Sequence, residues 1–153
     1  MRIFYLLILA SFFSCKSGTG DGSNTDEVDI DQLHGEVLAI HDEVMPKMST
    51  LTSLQSQVTD QLKALKSEQP VDKDKLKAAN EVLGQLNRAE SAMWDWMDSF
   101  SAFDTIVEVE KEAFLMTEKA SAEDMKGLML TSIDAAETYL KENPILIERN
   151  ENM

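Results

Sequence analysis

The sequence predicts an all-α protein, an antiparallel up-down bundle of three helices, or of four, with coiled-coil-like packing. Apolar residues recur at steps of three or four between residues 28 and 65, a period that places them along one face of a long helix. Only three of the six glycines lie beyond residue 25, and glycine is a poor helix former. Short turns between the apolar segments make neighbouring helices antiparallel.

The first predicted helix covers residues 28–65 and contains Pro46. Proline removes one intrahelical hydrogen bond, so we expect a kink or break near residues 42–46. A turn over residues 67–72 ends this helix, and Asp72 is suited to cap the next one.

The second predicted helix runs to about Phe100, and a third occupies residues 121–141. Ser121 would cap the third helix, since acidic residues follow it in the first turn. Residues 107–116 are either a short fourth helix or a partly extended connection. The bundle as a whole is expected to cover residues 27–142, followed by a C-terminal tail at 143–153.

The first residues have the features of a lipoprotein signal peptide. Arg2 precedes an apolar run over residues 3–13, which is too short to span a membrane, and Ser14 is a small residue directly before Cys15. We therefore expect residues 1–14 to be removed and Cys15 to carry the lipid. The alternative is an incidental or buried cysteine. The position of Cys15, at the end of the apolar run and before a polar stretch, argues against that alternative.

Residues 15–26 are rich in glycine, serine and asparagine and are expected to form a flexible tether. Acyl chains on Cys15 would hold the protein in a membrane, because each buried methylene contributes about 0.8 kcal/mol. Lys16 gives no sign of retention in the inner membrane. The expected location is the bacterial cell envelope, with a lipid anchor in the outer membrane.

The formal net charge of −14 bounds the partners of the protein. Such a negative charge argues against nucleic acid as a partner and against electrostatic attraction to anionic lipid. It favours cations or basic proteins as partners. Apart from the membrane, we expect an envelope protein or a second copy of the chain as partner.

One group of histidine and methionine side chains could bind a metal. An antiparallel register places Met45 level with Trp94 and His41 level with Asp98, and a third helix brings Met125 and Met129 to about the same level. Thioether and imidazole groups suit copper, particularly Cu(I). The simpler and favoured interpretation is that the methionines fill gaps in the core. No resident cofactor is therefore expected, and the candidate ligands are His41, Met45, Met48, Met93 and Met97.

Trp94 and Trp96 are two residues apart and cannot both face inward on a helix. One of them should lie at the surface, where an exposed indole often marks a contact with a partner.

No sequence pattern indicates catalysis. The chain contains no His-Glu-x-x-His, no Gly-x-Ser-x-Gly and no phosphate-binding loop. The paired acidic residues are typical of a solvated helix face. We therefore expect a non-enzymatic protein with a structural or partner-binding role, and a periplasmic copper-binding protein is the alternative.

Two segments carry a resemblance to a known family. They are His41-Asp-Glu-Val-Met-Pro-Lys-Met48 and Ala92-Met-Trp-Asp-Trp-Met97, in this order after the cysteine. In these the chain resembles a family of small helical lipoproteins from Bacteroidetes, often labelled "viral A-type inclusion protein". The resemblance extends over about residues 28–140. It implies a helical domain facing the periplasm or the exterior, and it implies no established activity.

Overall fold

The computed structural model describes residues 28–144, and this part of the chain is a helical bundle without strands. Its helices are α1 (Ile30–Val44), α2 (Met48–Ser67), α3 (Lys73–Phe100) and α4 (Lys111–Glu142). The prediction of an all-α bundle is thus confirmed. The expected signal peptide, the lipidated Cys15, the tether and the tail after residue 144 lie outside the described residues. None of the helices within residues 28–144 is long and apolar enough to cross a membrane.

The predicted break at Pro46 is confirmed. Met45–Lys47 form one turn of 3-10 helix between α1 and α2, with Pro46 inside it. The break also marks a change of neighbour, because α1 packs mainly against α4 whereas α2 packs mainly against α3. The long helical segment before α3 therefore contributes to two different interfaces.

Side-chain caps define two helix starts. Asp72 caps α3 as predicted, and its carboxylate accepts hydrogen bonds from the backbone N–H groups of Asp74 and Lys75, both at 3.1 Å. Asp29 caps α1 in the same way through Gln32 at 3.0 Å. Each such cap satisfies donors that the first turn of a helix leaves unpaired.

The predicted start of the last helix was wrong by ten residues. Helix α4 begins at Lys111, and Ser121 is an exposed residue in its interior. The apolar face continues upstream through the buried Leu115, so core packing overrides the capping pattern at Ser121. Residues 107–116 accordingly form no separate fourth helix: Val107 is extended, Glu108–Glu110 form a 3-10 turn, and the residues from Lys111 on belong to α4.

The core differs between the two sides of the break. We call the part built from α2, the first half of α3 and the second half of α4 the aliphatic half. Its largest group of buried residues comes from α2, and Leu86 of α3 is fully buried with them. Burying each such side chain contributes about 1.5–3 kcal/mol. The α2 residues are Leu51, Leu54, Val58, Leu62 and Leu65.

We call the other part, built from α1, the end of α3 and the start of α4, the aromatic half. Six rings stack there with centroid separations from 4.4 to 6.5 Å. Aromatic pairs at such distances contribute about 0.5–1.5 kcal/mol beyond the area that they bury. The six are His34, His41, Trp96, Phe100, Phe103 and Phe114.

Candidate binding sites in the aromatic half

Trp96 is the ring around which the aromatic half is organised. Its side chain is 4% exposed, and its indole N–H donates a hydrogen bond to the backbone carbonyl of Glu118 at 3.1 Å. The ring stacks on His41 with centroids 5.3 Å apart and on Phe100 at 4.9 Å. Trp96 therefore connects α1, α3 and α4.

His41 lies against this ring with only one of its nitrogens engaged. Its Nδ1 is 3.0 Å from the carboxylate of Asp42. Its Nε2 is buried and has no hydrogen-bond partner among residues 28–144. The other histidine, His34, stacks on Phe103 at 4.4 Å and on Phe100 at 5.4 Å. An imidazole nitrogen free in this way has the chemistry of a metal ligand.

The candidate methionine ligands divide into buried and half-buried groups. Met93, like Met125 and Met129, is buried in the core. Met45, Met48 and Met97 are partly buried and pack at its edge. Within residues 28–144, no group of three or more His, Cys, Asp or Glu residues is arranged to hold a metal ion. A metal at this level would therefore depend on thioethers, and copper binding stays a prediction.

Hydrogen bonds between α2 and α3 show which residues of the two helices lie at the same height along the bundle. The Gln55 side chain in α2 donates to Asn87 at 3.0 Å and to Glu90 at 2.8 Å in α3. Moving one heptad along each helix from Gln55 and Asn87 brings Met48 level with Trp94. The register predicted from the sequence, which placed Met45 there, was therefore wrong by three residues. The tryptophan thus lies beside the break in the first helical segment.

Trp94 is the exposed indole that the sequence predicts. Its side chain is 51% exposed, whereas Trp96 is buried. The stripe that continues through Ala89, Met93, Trp96 and Phe100 has steps of three and four, so this spacing could have identified Trp96 as the inward ring. We call Trp94, with the half-buried Met48 and Met97 at its level, the Trp94 surface.

Two ion pairs fix α1 on α4. Lys119 is 2.6 Å from Glu36, and Lys126 is 2.6 Å from Glu43. The hydrogen bond from Lys119 lowers the pKa of Glu36, with a smaller contribution from Gln32. The hydrogen bond to Glu43 raises the pKa of Lys126. Both pairs join residues 83 positions apart, so α1 and α4 run parallel in a constant register.

Glu118 is a residue of this region that the sequence reasoning missed. Its side chain is 5% exposed. One carboxylate oxygen accepts a hydrogen bond from the Ser99 hydroxyl at 2.6 Å, and the other is buried without a partner among the described residues. Its place on the buried face, seven residues before Met125, is the signal that could have revealed it.

Comparisons with known proteins supply no function or site for this chain. No protein-family model matches the chain, and no curated protein or solved structure is significantly similar to it.

Proposed function

We propose that the protein is a non-enzymatic, lipid-anchored module of the bacterial cell envelope that binds a protein partner through the Trp94 surface. The partner is another envelope protein or a second copy of this chain. The resemblance to the Bacteroidetes lipoproteins supports the location, and the lipid is proposed to lie on Cys15. The exposed indole of Trp94 is the observation that carries the binding role.

A large exposed ring is costly to leave in water and useful at an interface. Tryptophan is enriched among the residues that dominate binding energy, and methionine adapts its shape to a partner. Trp94 is half exposed beside Met97 on α3, and Met48 of α2 lies at the same level. The surface offers an aromatic anchor with polarizable neighbours, which suits apolar side chains of a partner.

A pull-down from detergent-extracted membranes tests this proposal with a matched pair of variants. Trp94→Ser removes the anchor, and Leu130→Ser removes another exposed apolar side chain, on α4. We expect the first variant to lose the co-purifying partner and the second to retain it. Equal recovery of the same partner by both variants would contradict the proposal.

The anchor is tested separately. A cell supplied with an alkyne-bearing fatty acid should label the wild-type chain and leave Cys15→Ser unlabelled. Labelling of both chains would show that Cys15 is not the acylated residue.

Copper binding is the second candidate function, and His41 favours it, because its buried Nε2 has no hydrogen-bond partner among residues 28–144. Met45 lies one turn after His41, and Met93 and Met97 belong to the facing helix. We expect Cu(I) affinity, measured against a competing chelator, to fall in His41→Ala and to persist in His34→Ala. Affinity no better than micromolar, or equal affinity of the two variants, would exclude this candidate.

A further inference from the structure

The Trp94 surface has a carboxylate on either side of it along α3. Glu90 and Asp98 lie four residues before and after Trp94, so each is about 6 Å along the helix axis from it and on the same face. Asp98 is exposed, and the half-buried Glu90 accepts a hydrogen bond from Gln55 of α2 at 2.8 Å. In the part of the chain that the structure describes, neither carboxylate forms an ion pair.

Few basic side chains lie near this surface. Helix α2 has no charged residue between Met48 and Asp60 in the sequence. Lys47, in the 3-10 turn, directly precedes Met48 and is exposed. Arg88 belongs to the other side of α3, since it lines a cavity together with Leu128 of α4. The Trp94 surface therefore combines an apolar centre with an edge that is negative on balance.

The charge of this edge distinguishes between the two partners proposed above. If two copies docked symmetrically through Trp94, antiparallel α3 helices would place Glu90 of one copy opposite Asp98 of the other. Parallel helices would place each carboxylate opposite its own equivalent. Like charges that meet at an interface cost free energy and act against that partner. Each copy also carries a formal net charge of −14, so a second copy fits this surface poorly.

We infer that the partner of the Trp94 surface is a basic protein segment, in which lysine or arginine flanks an apolar side chain about one helical turn away on each side. The inference rests on the proposed function, because it names the chemistry of the partner at that same surface. The apolar side chain packs on the indole beside Met48 and Met97, and the basic side chains donate to Glu90 and Asp98. Complementary charges at the edge of an interface speed association and select the partner.

Reversal of one edge charge tests the inference in a pull-down of the full chain from detergent-extracted membranes. Asp98→Lys changes the edge of the Trp94 surface. Asp95→Lys makes the same change beside Trp94, but on the side of α3 that faces Met125 and Leu128 of α4. We expect Asp98→Lys to recover about five-fold less of the partner than Asp95→Lys, because an attraction between exposed charges becomes a repulsion. Both aspartates are exposed, so both variants should keep the wild-type circular dichroism.

The failure of this inference can be told apart from the failure of the proposed function. Equal recovery by the two aspartate variants, with loss of the partner in Trp94→Ser, would overturn the inference and leave the binding role of the surface intact. Retention of the partner by Trp94→Ser would overturn both.

The sequence of the bound segment gives a second test. A photo-crosslinking aromatic amino acid at position 94 attaches to the segment that lies on the surface, and digestion followed by mass spectrometry identifies that segment. We expect lysine or arginine within about four residues on both sides of the crosslinked residue. A segment of this chain itself, or a segment without basic residues at those places, would overturn the inference.

Discussion

The aliphatic and aromatic halves of the bundle share the helices α3 and α4 yet differ in chemistry. Leucine and valine fill the aliphatic half. The aromatic half instead contains the stacked rings. Each half has two buried polar atoms without a hydrogen-bond partner among residues 28–144, but they differ in kind: a Gln61 amide oxygen and the Tyr139 hydroxyl in the aliphatic half, and an imidazole nitrogen of His41 and a carboxylate oxygen of Glu118 in the aromatic half. The aliphatic half thus contributes most of the buried leucines, whereas the aromatic half contains the candidate ligand His41.

The largest effect is expected in the aliphatic half. Leu86→Ala should lower the free energy of unfolding by about 3 kcal/mol, because a cavity replaces a fully buried side chain. Urea unfolding measures it. Leu128→Ala, at a side chain that is 48% exposed, is the control and should cost far less. Equal losses of stability in the two variants would show that Leu86 contributes no more to the core than the half-exposed Leu128.

Within the aromatic half, the two tryptophans should differ. Trp96→Phe removes the indole donor to the Glu118 carbonyl and part of a buried ring, and should cost about 2 kcal/mol. Trp94→Phe should change stability by less than about 0.5 kcal/mol, as surface substitutions do. The same urea series compares them. A larger loss from Trp94→Phe would mean that the Trp94 surface stabilises the fold.

A smaller effect of opposite sign is expected at Tyr139. This ring is buried at the far end of the aliphatic half, and its hydroxyl has no partner among residues 28–144. Burial also raises the pKa of the phenol. Tyr139→Phe should therefore stabilise the protein by about 1 kcal/mol, since it removes an unsatisfied group. Destabilisation would show that the hydroxyl is bonded in solution.

The smallest effect concerns the ion pair between Glu36 and Lys119. The pKa of Glu36 is lowered in the folded protein, chiefly by the hydrogen bond from Lys119, so its stabilisation is present above the ordinary carboxyl pKa and is lost as pH falls through the lowered value. Unfolding midpoints measured from pH 7 to below about pH 4.5 should fall less steeply in Glu36→Gln. Glu137→Gln, at an exposed residue of α4, should keep the wild-type slope.

The regular parts of the fold could be predicted from the sequence because they follow from local rules. The spacing of apolar residues predicts the helices, Pro46 predicts the break, and Asp72 predicts a cap. The start of α4 could not be found in this way, since Ser121 has the local features of a cap and only the burial of Leu115 against other helices decides otherwise.

The candidate sites were predictable only in part. The two-residue spacing of Trp94 and Trp96 predicts that one indole is exposed. Two features depend on which side chains meet across helices, and no local pattern encodes that. They are the His41 nitrogen that has no partner in the described part of the chain and the buried carboxylate of Glu118.

We propose that the Trp94 surface contacts a protein partner. A photo-crosslinking amino acid with a large aromatic side chain, which keeps a ring at position 94 of the full-length chain, tests this in the living cell, with position 130 as the control. We expect one discrete crosslinked product from position 94 and none from position 130. No product from position 94, or the same products from both positions, would contradict it.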